Sequence, residues 1–279
     1  KLCYNGAIVC VNTVFCFNKE NGRFMTSDKA NHRFLLSELI RRDFIKKYKR
    51  TTFGILWSAL SPLFLLLTMD VVFGTFFGRN MPHYTIYLFC GLLLFNYFSA
   101  ATRSAMRVLY DNAQIYSKVP VPKHYFLISQ SVAQAIDFAV SLLVFFIFVA
   151  IDGISFHWRF LYLLFPMVCL YFINFGIGMF LSTLYIFFRD INYLWPVVTR
   201  IIMYASAIFY DPSILPGIMR RLLNCNPLYM CVDYFRQLII HSTVPSLSTH
   251  LIMLVMAAIC AFLGWFTYHI TRDKIALYV

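Results

Sequence analysis

Charged residues are scarce in this 279-residue chain: Asp, Glu, Lys and Arg together make up 13%, whereas soluble domains carry roughly 25%. Hydrophobic residues account for 60% of the chain and aromatic residues for 19%. A soluble fold of this length cannot bury so much apolar surface, but a lipid bilayer covers it. The composition therefore excludes an ordinary soluble domain and predicts an integral membrane protein.

The motifs of the common enzyme classes are also missing. The sequence contains no Gly-x-x-x-x-Gly-Lys-Ser/Thr phosphate loop, no His-Glu-x-x-His and no Gly-x-Ser-x-Gly. No Cys-x-x-Cys pair suggests a metal, and the acidic residues are scattered along the chain. We therefore expect no catalytic residue, no metal and no cofactor in this chain. Cys225 and Cys231 share one segment and can pair if it faces an oxidising compartment, or stay free.

Lysine and arginine give the chain a formal net charge of +12. A nucleic-acid partner is not expected, because these basic residues abut apolar runs instead of forming one soluble basic face. Membrane lipids are the partners that this arrangement favours.

Six apolar segments are long enough to cross a bilayer, which takes about 20 residues. They are 53–78, 84–102, 125–150, 160–187, 193–211 and 251–270. The runs are continuous instead of alternating, so helices are expected and a barrel is not. The fold class predicted is an all-α integral membrane protein with six transmembrane helices.

The loops on one side hold most of the basic residues, from Arg41–Arg50 through Arg103, Lys118 and Arg189 to Arg272. The loops on the other side hold Arg79, Arg159, Arg220, Arg221 and Arg236. Since positive loops stay in the cytoplasm, both termini are expected there.

Two further segments are not expected to span. Residues 31–50 place Leu36, Ile40, Phe44 and Tyr48 on one stripe, which predicts an amphipathic helix at the cytoplasmic interface. Residues 211–250 are apolar but interrupted by Asn226-Pro227, which predicts two short re-entrant helices on the external side before the last span.

The chain is thus divided into three parts. Residues 1–30 are an N-terminal extension, either disordered or an artefact of start-site choice. Residues 31–50 form the amphipathic interface helix, and residues 51–279 form the six-span domain.

Three blocks in this order resemble a known family. The first runs from Leu39 to Trp57 and continues to Pro62, the second is Phe187-Phe188-Arg189-Asp190-Ile191, and the third is Asn226-Pro227 with Arg236 downstream. Together they are similar to the transmembrane permease subunit of type-2 ABC exporters for lipid-linked polysaccharide, of the O-antigen, teichoic acid or capsule type.

The resemblance implies a multi-pass protein of a bacterial plasma (inner) membrane. It also implies a homodimer that carries two copies of a separate ABC ATPase, with ATP and magnesium bound by that partner. The substrate would be a polysaccharide or teichoic acid polymer on undecaprenyl diphosphate. Contact with the ATPase would come from a coupling segment and the Phe-Arg-Asp loop: Asn112, Ile115, Tyr116, Ser117, Lys118, Val119, Pro120, Arg189 and Asp190.

Two further groups of residues receive expected roles. The interface helix and lipid diphosphate are assigned to Arg41, Arg42, Asp43, Tyr48, Arg50 and Trp57, because a guanidinium fork matches phosphate oxygens. Candidate channel-lining residues are Asp70, Phe95, Tyr97, Phe98, Tyr204, Phe209 and Tyr210. Attraction to anionic lipid and a place in the interfacial aromatic belt are the respective alternatives. Asp137, an acid within a span, is weighed in the same way as Asp70.

Two other functions remain open at this point. One is a type-2 permease for a small drug or lipid, and the other is a membrane enzyme of glycolipid assembly.

Overall fold

The computed structural model describes residues 8–11, 15–18, 30–48, 54, 56–77, 83–118, 121–272 and 274–275. Residues 30–275 of this part are helical apart from their connections, which confirms the all-α expectation for the membrane domain. The α-helices are α1 (Ala30–Tyr48), α2 (Leu56–Phe77), α3 (Tyr84–Asp111), α4 (Ala113–Tyr116), α5 (His124–Ile151), α6 (Leu164–Phe187), α7 (Ile191–Tyr204), α8 (Gly217–Leu223), α9 (Pro227–Ile239) and α10 (Leu247–Thr271).

Three shorter features complete the described chain. Two 3-10 turns cover Trp158–Leu163, which leads into α6, and Pro212–Ile214. In the N-terminal extension, β1 (Ile8–Val11) pairs with β2 (Phe15–Asn18) as an antiparallel hairpin that the sequence pattern did not suggest.

Four helices among the described residues have the length and composition to cross a membrane: α3, α5, α6 with its preceding 3-10 turn, and α10. They correspond to four of the six predicted spans. The 28 residues of α5 cover about 42 Å at 1.5 Å per residue, more than the roughly 30 Å hydrocarbon core. The first predicted span is occupied by α2, which has 22 residues.

The fifth predicted span differs from the structure. Its helix α7 ends at Tyr204 after 14 residues, about 21 Å, so a continuous helix over 193–211 is wrong. Residues 205–211 turn away from the helix, and Ala207 adopts a left-handed conformation with φ 46°. The helix ends here because the backbone carbonyls of the following turn accept hydrogen bonds from side chains of other elements, as described below. They therefore do not take part in the helical hydrogen-bond pattern.

Helix α3 is the centre of the bundle and packs against α2, α5, α6, α7 and α9. Helices α6 and α10 form the most extensive helix pair. A Cβ atom at Gly176 would lie 2.2 Å from the carbonyl oxygen of Cys260, and one at Gly264 would lie 2.1 Å from that of Gly176. The absence of side chains at these two positions therefore sets the distance between the two backbones.

The two ends of the bundle differ in what they bring together. At one end a hydrophobic cluster joins α1, α4, the start of α5 and the last turns of α3, α6 and α10, through Leu39, Leu109, Phe126, Ile186 and Tyr268. We call this the basic end, because α1 and Arg189 lie there. At the opposite end lie the starts of α3 and α10 together with α8 and α9.

Two short helices flank Asn226 at that opposite end, where two were predicted. The Asn226 side chain caps α9 by accepting a hydrogen bond from the Leu228 backbone amide at 3.0 Å, and Pro227 occupies the first helical position. Ten of the 13 residues of α9 are buried, so α9 is part of the core rather than a surface loop.

Candidate functional site

A polar groove opens between the end of α1, the start of α2, and the facing sides of α3 and α5. A cavity of about 570 Å³ occupies it, lined among others by Lys47, Tyr48, Trp57, Tyr97, Arg103 and Asp137. A second cavity of about 630 Å³ continues toward the basic end and shares Lys47, Arg103 and Gln134 with the first. Lys46 and Arg107 add two further cations to this second part, and Asp43 and Asp111 add two acids. We call the two cavities together the basic groove.

Helix α1 forms one wall of the basic groove and is held to α5 by polar contacts. Lys47 and Tyr48 both bind the Asp137 carboxylate, and Asp43 accepts a hydrogen bond from Ser129. The Asp43 side chain is 5% exposed and also pairs with Arg42 at 2.7 Å. Asp137 is therefore not a free acid in a span but the anchor for the end of α1.

The packed face of α1 is rotated away from the predicted stripe. Leu39 is buried at 1% exposure, whereas Leu36, Ile40, Phe44 and Tyr48 are only partly buried. The polar contacts of Asp43 and Lys47, four residues apart on one face of the helix, explain the rotation.

Like Lys46, Arg103 is a cation of the groove that makes no ion pair or side-chain hydrogen bond with the described residues. It is exposed and lines both cavities, and within the described chain its guanidinium has no hydrogen bond or ion pair to a side chain. Arg107, by contrast, donates to Asn192 Oδ1 from Nε at 3.0 Å. A free guanidinium beside partly exposed Lys47 is chemically suited to an anionic oxygen ligand such as a phosphate.

Other residues predicted for the interface helix have peripheral places. Arg41 lies 4.0 Å from Glu38 on the exposed surface. Arg42 stacks over the Phe126 ring at 5.6 Å, outside the lining of the groove. Trp57 lines the groove with 42% of its surface exposed. Arg50 lies outside the described residues.

The predicted coupling residues lie together at the basic end. The one-turn helix α4 follows Asn112, whose side chain donates to the Val108 carbonyl at 2.7 Å. Ile115 and Tyr116 pack against the hydrophobic cluster of that end, while Ser117 and Lys118 are exposed. Val119 and Pro120 lie outside the described residues.

Arg189 is brought to the same region by an aromatic contact. Its guanidinium carbon lies 4.9 Å from the centre of the Tyr110 ring, one turn before α4. Arg189 and Asp190 are both exposed. The Phe-Arg-Asp loop and the coupling segment therefore present one exposed surface.

The candidate channel-lining residues do not form one surface within the chain. Tyr97 lines the basic groove and stacks on Phe138 at 4.3 Å, but Phe98 is buried against Trp195. Phe95 is partly buried and Tyr204 is 57% exposed on α7.

The last two candidates, Phe209 and Tyr210, lie in the turn after α7, where their backbone carbonyls accept from Tyr84 and Tyr87. The side chain of Asp70 lies outside the described part of α2.

The predicted external segment contains the most completely buried charge described. Arg236 is 3% exposed and donates to the carbonyls of Ala207 and Ile208, both at 2.9 Å, and to that of Tyr87 at 3.3 Å. Its guanidinium carbon also lies 3.4 Å from the centre of the Tyr87 ring. Burial lowers the pKa of the guanidinium, but an arginine remains protonated in proteins.

Asn226 supports the same turn from its other side. Its amide donates to the Ala205 carbonyl at 3.2 Å and to Ser206 Oγ at 2.9 Å. Arg236, Asn226, Tyr84 and Tyr87 thus bind the backbone carbonyls of the turn that follows α7, at Ala205 and from Ala207 to Tyr210. Irregular backbone at membrane depth is stable only when protein satisfies it in this way.

Cys225 and Cys231 are both free thiols, the first exposed and the second buried. The pairing alternative is therefore not realised in the structure.

The four cations of the groove, Lys46, Lys47, Arg103 and Arg107, were not among the predicted sites. All four belong to basic runs that the charge pattern explained as topology alone. An acid within a span, Asp137, was the available signal that a cation of another element would face it.

The comparisons with known proteins cover the part of the chain that contains the basic groove and Arg236. Residues 35–240 match the family described as ABC-2 type transporter. An O-antigen export system permease protein RfbA from Klebsiella pneumoniae is 25% identical over 216 residues, which cover 75% of this chain and 82% of the relative.

A second RfbA, from Myxococcus xanthus, is 23% identical over 238 residues, 84% of this chain and 90% of the relative. The polysialic acid transport protein KpsM of Escherichia coli is 21% identical over 242 residues, 86% of this chain and 93% of the relative.

Proposed function

Because this chain belongs to the ABC-2 type transporter family, we propose that it is the membrane-spanning subunit of an ATP-driven exporter of polysaccharide. The names of the curated relatives support this substrate class, since two are permeases for O-antigen export and one transports polysialic acid. The polymer is carried across the plasma membrane on a polyprenyl diphosphate, and teichoic acid is an alternative polymer of the same kind.

The basic groove is the observation that carries this proposal. It lies where an amphipathic helix meets the bundle, so a ligand reaches it from the membrane surface. It combines the exposed guanidinium of Arg103 with Lys46 and Lys47 for a diphosphate, and it offers Trp57 and Tyr97 as ring surface for the first sugars. A site for a small apolar drug has no need of this concentration of cations.

The energy source is a separate ATPase docked at the basic end. The sequence has no phosphate loop of its own, and exposed Ser117, Lys118, Arg189 and Asp190 form a polar contact surface beside α4. In this arrangement ATP and magnesium are bound by the partner, and this chain transmits its movement through α4 and the Phe-Arg-Asp loop.

A second copy of the chain covers α7. This helix packs only lightly on α3 and α6, and it exposes Tyr193, Val197, Ile201 and Tyr204 along one face. Arg200 is exposed among them, ten residues after Asp190, which is about 15 Å along the helix. A charge at that depth is costly against lipid, so this face is expected to meet protein or a water-filled path between two copies.

The orientation follows from the same assignment, with the basic end and both termini in the cytoplasm. Cys225 tests it without any engineered residue, because it is the exposed thiol beside α8. A membrane-impermeant maleimide applied to intact cells is expected to label Cys225, and a Cys225→Ser variant provides the background. Labelling only after the membrane is broken would reverse the orientation.

The function itself is tested in the bacterium that carries the gene. Deletion is expected to remove the surface polysaccharide and to leave lipid-linked polymer inside the cell, which can be extracted and sized. Unchanged surface polysaccharide would refute the proposal, and loss of resistance to a drug instead would favour a small-molecule exporter. Glycosyl transfer by the purified chain alone would show an enzyme.

The role of the groove is tested by Arg103→Gln expressed in the deletion strain. Arg221→Gln is the matched control, because Arg221 is exposed on α8 at the opposite end. We expect export to fall in Arg103→Gln while co-purification with the ATPase is retained. Equal export by the two variants would contradict the assignment of the groove.

A further inference from the structure

A second polar pocket lies at the opposite end of the bundle from the basic groove. Its volume is about 330 Å³, at the lower end of the range of about 300–1,000 Å³ for ligand sites. We call it the far-end pocket; it is formed between the start of α3, the 3-10 turn at Pro212–Ile214, and helices α8 and α9. Its polar lining includes Asp211, Arg220, Asn224, Tyr229, Asp233 and His241.

The two aspartates each have a carboxylate oxygen to spare. Asp211 Oδ1 accepts from the Ser213 backbone amide at 2.8 Å, and Asp233 Oδ2 accepts from Gln237 Nε2 at 2.7 Å. The second oxygen of each carboxylate has no hydrogen bond to the described part of the chain. Both residues are partly buried, so these oxygens are positioned acceptors instead of mobile surface groups.

The charges of the far-end pocket are balanced. Asp211 and Asp233 face Arg220 and Arg236, yet among the described residues no ion pair joins an acid of this group to an arginine. Arg236 directs its donors to backbone carbonyls, whereas the Arg220 guanidinium is exposed and makes no hydrogen bond or ion pair with the described residues. A balanced pocket gives a simple ion little net attraction, so the ligand it favours is neutral.

The donors and acceptors match a ligand rich in hydroxyl groups. Two carboxylates accept from vicinal hydroxyls, and Arg220 and Asn224 donate to them. Tyr229 adds part of an aromatic wall, on which the C–H face of a sugar ring can pack. We infer that the far-end pocket binds one neutral pyranose unit of the exported glycan as the polymer leaves the exporter.

This inference rests on the proposed function and gives the two ends of the bundle different tasks. The basic groove recognises the anionic carrier lipid, and the far-end pocket recognises the glycan itself. A site of this kind would hold the emerging chain at the outer surface between successive cycles.

The experiment measures binding of sugar to the purified exporter, chain and ATPase together, in lipid nanodiscs. The probe is the oligosaccharide mixture released by partial acid hydrolysis from the surface polysaccharide of the same bacterium. Saturation-transfer difference NMR detects bound sugar, and titration gives the apparent Kd. Calcium chloride is titrated separately, because two carboxylates can instead select a divalent cation.

The test variant combines Asp211→Asn with Asp233→Asn. Both changes keep the size of the side chain, and Asp211→Asn keeps the oxygen that accepts from the Ser213 backbone amide. Loss of two charge-assisted acceptors is expected to weaken sugar binding at least about tenfold. Arg220→Gln, at an exposed position that does not support the fold, is expected to weaken it less. The matched control is Asp152→Asn, because Asp152 lies at the same end of the bundle, outside the pocket, paired with His83.

Each outcome decides the assignment. Weaker sugar binding in both pocket variants, with wild-type affinity in Asp152→Asn, supports it. Absence of sugar binding to the wild-type exporter, equal binding by all variants, or calcium binding that the double variant removes would overturn it. These binding results are independent of the deletion phenotype. If the pocket binds no sugar, the proposal of polysaccharide export is unaffected. If deletion leaves the surface polysaccharide unchanged, the proposed function itself is refuted.

Discussion

Replacement of Arg236 should release the turn that follows α7. The arginine holds the Ala207 and Ile208 carbonyls at 2.9 Å in a segment that is fully buried. In Arg236→Met the Ile208 carbonyl loses its partner and the Ala207 carbonyl keeps only a 3.5 Å contact with the Tyr87 hydroxyl. Each buried unsatisfied group costs about 1–3 kcal/mol. The expected loss is therefore about 2–6 kcal/mol, concentrated in residues 205–210.

Lysine at the same position should have an intermediate effect. Arg236→Lys keeps the charge but has a single nitrogen, so it cannot reach the three carbonyls that the guanidinium fork reaches. It also loses the flat contact with the Tyr87 ring. The expected order of stability is wild type, then Lys, then Met.

Hydrogen exchange followed by mass spectrometry measures this local effect in detergent or nanodiscs. In Arg236→Met the protection of amides in 205–210 should fall at least about tenfold, with a smaller change in α5. Arg221→Met is the control, because Arg221 is exposed on neighbouring α8. Equal protection in Arg236→Met and Arg221→Met would refute the view that this arginine holds the turn.

Two further predictions concern packing and coupling. Gly176→Ala should lower the midpoint of thermal unfolding, because the new Cβ meets backbone atoms of α10 at 2.2 Å and overpacking costs about 1–3 kcal/mol. Gly217→Ala is the control, because a Cβ there meets nothing within 4 Å. An equal fall of the midpoint in Gly217→Ala would contradict the packing explanation. Arg189→Glu should reduce export per ATP hydrolysed in the reconstituted exporter, because it reverses charge on the proposed ATPase contact and removes the cation–π contact with Tyr110. Tyr110→Leu loses only the cation–π contact, worth about 0.5–1 kcal/mol, and should have a smaller effect. Unchanged coupling in Arg189→Glu would show that this loop does not contact the ATPase.

Long apolar runs were predictable from sequence because bilayer thickness fixes their length. The spans at α3, α5, α6 and α10 needed only hydropathy, and the break between α8 and α9 needed only Asn226-Pro227, which caps and starts a helix in any context. These features depend on residues that are neighbours in the sequence.

The end of α7 depends on distant residues and was not predictable. Residues 205–210 are Ala, Ser, Ala, Ile, Phe and Tyr, which a helix accepts. Their carbonyls leave the helix because Arg236, 29 positions after Ala207, supplies the alternative hydrogen bonds. The groove has the same origin, since Asp137 meets Lys47 across 90 positions. No local pattern contains such a pairing.

Buried Arg236 and partly buried Asp137 differ in how firmly they hold their partners. Arg236 binds backbone carbonyls, which cannot titrate, rotate away or be exchanged for another side chain, so α9 and the turn after α7 are expected to move as one unit. Asp137 binds Lys47 and Tyr48 on a helix whose Lys47 side chain is 39% exposed. An anionic ligand in the basic groove, as proposed, would compete with Asp137 for that same lysine, and α1 could then shift without leaving a buried backbone group unpaired. Movement that admits a ligand is therefore expected at the basic end, while the far end keeps the geometry of its pocket.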